Sequence, residues 1–237
     1  MTVITSAGPE SPLRLISAKV VASGLNDNAF YRLFTSTTLS PPALARVFQQ
    51  YYYYIRTFPQ ILAGLSHRVD DEFVRMKLAR TVVSELGDNV GDAHYTMFER
   101  VLTSVGVTLE DWRTAQHIPE AVELVDGLRD LFLHQPTERA LGGHYVIEEF
   151  GLPMINALYE GFRRYPGWNV EDFAYFHLHM LIEGDHVDWI AAAVERICED
   201  PGARDDVLAG ADRTIALLQR FWAGLYRCAL DGPVTAA

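Results

Sequence analysis

The chain has 237 residues, 49% of them hydrophobic and 22% charged, with a formal net charge of −11. That length suits one large domain whose core can enclose an internal site, and an acidic chain without a Lys/Arg cluster excludes nucleic acid and anionic membranes as expected partners. No stretch approaches the roughly 18 apolar residues that cross a bilayer, residues 1–10 lack a basic segment followed by an apolar run, and Cys198 and Cys228 lie outside any CxxC spacing. A cytoplasmic protein with reduced thiols is therefore expected.

Helix punctuation runs along the whole chain. Ser11-Pro12 and Ser40-Pro41-Pro42 read as N-caps followed by Pro at the first helical position. Thr108 before Glu110 and Asp111, and Asn169 before Glu171 and Asp172, place acids where a first turn favours them. Long stretches poor in Gly and Pro follow at about 43–57, 70–86, 120–134, 137–150, 169–183 and 203–231. Alternating runs joined by tight Asn-Gly or Asp-Gly turns are absent. The pattern predicts an all-α bundle of seven or eight helices in one domain over 11–231, with frayed ends at 1–10 and 232–237.

The most informative segment is His177-Leu178-His179-Met180-Leu181-Ile182-Glu183-Gly184-Asp185-His186. His179, Glu183 and His186 stand at i, i+4 and i+7, within roughly 60° of one another on a helix. Imidazole with carboxylate is what iron or manganese takes when it must keep positions open for oxygen or substrate. His177, Asp185 and Asp188 are competing choices from the same segment. A second piece is Glu149, four residues before Pro153, with its neighbour Glu148 as the alternative. A third is Glu85 with His94, whose nine-residue spacing would set the side chains on opposite faces of an unbroken helix. The helix breakers between Gly87 and Asp92 predict a bulge or turn that restores one face.

These pieces, in this order, resemble the diiron oxidase branch of the haem-oxygenase-like superfamily over about residues 25–225. The likeness runs from Ala29-Phe30-Tyr31-Arg32-Leu33 and Tyr51-Tyr52-Tyr53-Tyr54-Ile55-Arg56 through His67-Arg68-Val69-Asp70-Asp71 and Ser84-Glu85…His94. It continues to Glu149…Pro153 and Tyr175-Phe176-His177-Leu178-His179…Glu183…His186. The resemblance selects Glu149 over Glu148 and His179 over His177, and implies the ligand set Glu85, His94, Glu149, His179, Glu183 and His186 for two iron ions. Manganese is an alternative for one of them, and no haem is expected.

The resemblance further implies action on dioxygen and a small-molecule substrate; a homodimer is expected, and the sequence does not identify the external electron donor. Within the branch the pattern is similar to the self-sacrificing para-aminobenzoate synthases, which places Tyr31 at a redox tyrosine. Two departures separate this chain from them: Tyr159 stands ten residues after Glu149 where a lysine is expected, and Val47 stands where a second tyrosine is expected. Residues 36–69 contain no Asp or Glu, so the extra carboxylate of relatives that oxygenate nitrogen has no source there. The expected chemistry is C–H abstraction, desaturation or C–C cleavage of an amino-acid- or fatty-acid-like substrate. Tyr52, Phe58, Tyr145, Tyr159 and Phe176 are the candidate pocket residues, with Trp189 beside them.

Other activities of the same fold fit the residues less well. Thiaminase-type hydrolysis needs a cysteine just before the mid-chain Glu, where this chain has Gly143-His144-Tyr145-Val146-Ile147. Haem oxygenase needs an early axial His, and the first here is His67. The alternatives that remain are an N-oxygenase of an amine, a cofactor-free oxidase of the quinone-cofactor synthase type, and a helical metal-binding or interaction protein without catalysis.

Overall fold

Nine α-helices, rather than seven or eight, and no strand form among residues 11–88 and 91–230, which the computed structural model describes. The frayed ends expected at 1–10 and 232–237 lie outside those residues. In chain order the helices are α1 (Pro12–Ala22), α2 (Ala29–Ser36), α3 (Pro41–Arg68), α4 (Glu72–Glu85), α5 (His94–Ser104), α6 (Pro119–His134), α7 (Thr137–Phe162), α8 (Ala174–Ile197) and α9 (Ala203–Leu230). A 3-10 turn at Leu25–Asp27 joins α1 to α2. No described helix is long and apolar enough to cross a membrane.

Two expected helix starts are turns instead. Glu110 N–H donates to Gln49 Oε1 at 2.8 Å and Ile118 N–H to Gln50 Oε1 at 3.0 Å. These bonds strap the segment before α6 onto α3, so its backbone is satisfied without a helix. Asn169 Oδ1 accepts from Asp172 N–H at 2.8 Å, closing a turn ahead of α8, which begins at Ala174.

Conversely, α3 and α7 run past the stretches at 43–57 and 137–150 and continue through Pro59 and Pro153. An interior proline costs about 3 kcal/mol or more. Beyond Pro59, α3 buries Ile61, Leu62 and Leu65; beyond Pro153, α7 buries Ile155, Leu158 and Phe162. Each such side chain contributes about 1.5–3 kcal/mol on burial, which outweighs the break.

Helix α7 is central, packed against α9, α8 and α2. Its rotation is set by glycine contacts with α9. A Cβ at Gly142 would lie 1.9 Å from the Val207 carbonyl oxygen, and one at Gly210 would lie 1.9 Å from that of Arg139. Two helices in backbone contact at two points cannot turn relative to each other without collision. One end of the bundle is filled by aromatic side chains, with Phe34 stacked on Phe30 at 5.5 Å and edge-on to Phe162 at 5.1 Å.

Candidate metal centre

Six ionisable side chains from four helices meet in the interior. Glu85 is the last residue of α4 and His94 the first of α5, so of the expected bulge or turn it is a turn that forms, and it separates two helices. Gly87 makes the break: its φ is +98°, and its carbonyl accepts from Gly91 N–H at 3.0 Å. The turn brings Glu85 Oε2 to 3.2 Å from His94 Nδ1. Helix α8 delivers His179, Glu183 and His186 on one face, all buried, as their spacing predicts. His177 is half-buried against Tyr159, and Asp185 and Asp188 are exposed.

On α7 the inward carboxylate is Glu148, not Glu149. Glu148 is buried with Oε2 3.4 Å from His186 Nδ1, whereas Glu149 turns away and accepts from the Tyr145 hydroxyl at 3.2 Å. The physical reason is the rotation of α7, which the Gly142 and Gly210 contacts fix and which presents position 148 to α8. With Glu148 inward, the tenth residue after it is the buried Leu158 rather than Tyr159, and a lysine is absent in either register.

The six form two groups, Glu85 with His94 and His179, and Glu148 with Glu183 and His186. Within each group one ligand atom per residue lies within 4.8 Å of the others. Glu85 faces both, since its Oε1 lies 3.9 Å from His186 Nδ1. The imidazoles are held from outside: His179 Nδ1 meets the Tyr175 carbonyl at 2.6 Å, and His186 Nε2 meets Ser84 Oγ at 2.9 Å. A bond on one ring nitrogen aims the other, as at metal sites. His94 Nδ1, His186 Nδ1 and Glu183 Oε2 are buried without an aligned hydrogen-bond partner. Two buried carboxylates and a half-buried one, with orphaned polar atoms between them, are costly unless cations join them. The donor set, carboxylate with imidazole, suits iron or manganese.

Burial and the neighbouring groups drive the protonation states apart. Burial, reinforced by the nearby carboxylates, pushes Glu183 well above the usual range. For Glu148 burial acts upward, but the imidazoles of His144 and His186 outweigh it and hold the carboxyl well below that range. Burial lowers His179 to about 4, while for His186 burial is overcome by the surrounding carboxylates, which raise it to about 9.

A small cavity of about 50 Å³ opens onto the cluster. Tyr51, Tyr54, Ile55 and Phe58 from α3, Ile147 and Met154 from α7, and Tyr175 from α8 form its walls. Tyr51 and Tyr175 share a hydrogen bond of 3.2 Å. Among the five expected pocket residues Phe58 alone lines it. Tyr52 donates to the Glu99 carboxylate on a different groove, and Tyr145 is taken by Glu149. Tyr159 packs on Trp168, and Phe176 is buried among Phe162 and Phe173. These residues point away because one helix face meets the cavity, and they lie on others. Trp189 covers the outer side of His186, with ring centroids 5.5 Å apart. Tyr31 is buried against Phe150 and Trp222 and does not line the cavity.

Sequence reasoning missed Tyr51, Tyr54 and Tyr175 as cavity walls and missed His144, which bonds Glu148. The signal was present: Tyr51, Tyr54 and Phe58 share a helix face, Tyr175 precedes His179 by one turn, and His144 precedes Glu148 by one turn.

A family model of iron-containing redox enzymes matches residues 45–219. The chain is 24% identical over 199 residues to a 4-chloro-allylglycine synthase of Streptantibioticus cattleyicolor, covering 84% of this chain and 76% of that protein. It is 23% identical over 212 residues to a 4-aminobenzoate synthase of Chlamydia pneumoniae, covering 88% and 92%. A CADD-like protein of unknown function from Nostoc punctiforme superposes with a TM-score of 0.77 at 20% identity, over 93% of this chain and 96% of that one. A domain with a haem-oxygenase-like fold from Shewanella denitrificans gives 0.70 at 15% identity, over 90% of each. The fold is therefore haem-oxygenase-like.

Proposed function

Because this chain belongs to the family of iron-containing redox enzymes, we propose that its interior cluster holds two iron ions and activates dioxygen to oxidise a small molecule. The observation that carries this reading is the pairing of two three-residue ligand groups, both faced by Glu85, inside the helical bundle. Glu85, His94 and His179 would hold one ion; Glu148, Glu183 and His186 would hold the other. Bound ferrous iron supplies electrons and open positions for dioxygen, with manganese as an alternative at one position.

The chain itself supplies shape and proton control. The tyrosines at the cavity stay protonated, because burial raises Tyr51, Tyr54 and Tyr175 well above the ordinary value. The Tyr51–Tyr175 pair therefore keeps a hydroxyl proton beside the carboxylates. Among the described residues no Lys or Arg lines the cavity. Arg56 lies over Tyr95 and Trp112, Arg163 pairs with Glu160, and Arg164 donates to the Ser36 carbonyl. With Ile55, Phe58, Ile147 and Met154 around the opening, the part of the substrate that reaches the cluster is apolar. That favours oxidation at carbon (C–H abstraction, desaturation or C–C cleavage) of an amino-acid- or fatty-acid-like compound. Helix α3 contributes no carboxylate, which separates this site from one with a seventh acidic ligand.

The test is anaerobic loading with ferrous iron followed by oxygen. Two irons per chain and a transient near-ultraviolet or visible band are expected, and its decay should quicken with the right compound when amino acids and fatty acids are screened. Absence of stoichiometric iron uptake would overturn the reading.

A further inference from the structure

Behind Glu148 stands a histidine that belongs to neither ligand group. His144 is fully buried one turn earlier on α7, with Nε2 2.7 Å from Glu148 Oε1. Its ring is boxed by Phe58 and Phe132, with centroids 5.9 and 6.0 Å away. Among the described residues its Nδ1 has no hydrogen-bond partner, and the Glu148 carboxylate is its one hydrogen-bonded contact. A carboxylate accepts, so the proton on this imidazole sits at Nε2. An apolar side chain would fill the same box without stranding a polar atom; packing alone gives no reason for a histidine here.

Glu148 Oε2, in contrast, faces the cluster, 3.4 Å from His186 Nδ1. The two oxygens of one carboxylate thus have different surroundings, one bound from behind and one turned to the ligands. A flip about the terminal torsion only exchanges two equivalent oxygens, and the contacts of Gly142 and Gly210 with α9 hold α7 so that one oxygen always meets His144 and the other the ligands. We propose that His144 is a positioning residue that occupies Oε1 and leaves Oε2 as the single metal-binding oxygen of Glu148. This inference rests on the two-ion reading above.

Three proteins, wild type, His144→Phe and His144→Gln, would be titrated anaerobically with ferrous iron and, separately, with cobalt(II) for its ligand-field spectrum. Phenylalanine keeps the aromatic volume without a donor, and glutamine returns an N–H near the Nε2 position. The expected result is two ions in the wild type and a second ion weakened by about 10–100-fold in His144→Phe, with an altered cobalt spectrum. In His144→Gln both affinity and spectrum should return towards the wild type. Wild-type affinity and spectrum in His144→Phe would overturn the proposal, as would equal losses in both variants, which would show that the space rather than the donor matters. Should His144→Phe not fold, His144→Leu against His144→Gln makes the same comparison. A wild type that takes up neither metal would instead overturn the two-ion reading itself.

Discussion

Gly151 on α7 makes room for the carboxylate of Glu183 on α8: a Cβ at that position would lie 2.5 Å from Oε2. The glycine sits one turn after Glu148 in a continuous helix, where its intrinsic cost relative to alanine is about 1 kcal/mol. A residue that weakens its helix and is met by a ligand oxygen is explained by the site. Gly151→Ala should fold with a melting temperature near that of the wild type and lose about 10–100-fold in affinity for the ion held by Glu183. Thermal melts beside an anaerobic iron titration check it; unaltered uptake of both ions would refute it.

The register of α7 yields a sharper contrast. Glu148→Gln should abolish binding at the Glu183–His186 position and leave about one ion per chain. Glu149→Gln should cost at most about 1 kcal/mol, the ordinary worth of its bond with Tyr145, and leave iron uptake unchanged. Metal analysis of the two variants reads the difference directly.

Gly87 is a test of the break between α4 and α5. Its φ of +98° disfavours any side chain, and a Cβ would meet the Asp92 carbonyl at 2.5 Å. Gly87→Ala should destabilise the protein by roughly 1–3 kcal/mol and weaken the ion held by Glu85 and His94 more than the other. Chemical denaturation and a two-step metal titration separate these effects.

Metal binding should release protons. At pH 7 His186, raised to about 9, carries a proton that a metal must displace, whereas His179, lowered to about 4, is already neutral. Glu183, raised by burial, adds to the release where it is protonated. Affinity for the ion at Glu148, Glu183 and His186 should therefore rise with pH up to about 9 and fall at least about tenfold per unit below it, one factor for each proton displaced. Calorimetry in buffers of different ionisation enthalpy counts the protons; no buffer dependence would contradict the assignment.

Much of this was legible in the amino-acid order itself. The i, i+4, i+7 spacing of His179, Glu183 and His186 decides that they share a helix face, because helix pitch is a local property. The absence of acids between residues 36 and 69 likewise decides that α3 brings aromatic and apolar groups to the cavity. Three matters were decided only by tertiary packing. Adjacent Glu148 and Glu149 differ by about 100° on the helix, and only the backbone contacts of Gly142 and Gly210 with α9 determine which turns inward. Whether Glu85 and His94 meet depends on the turn at Gly87, which nine residues of spacing leave open. The continuation of α3 and α7 through Pro59 and Pro153 follows from what lies beyond each proline, since burial in the core outweighs a local break. The candidate cluster was thus readable as three separate helical pieces, and that Glu148 rather than Glu149 faces the other five came from the packing that joins them.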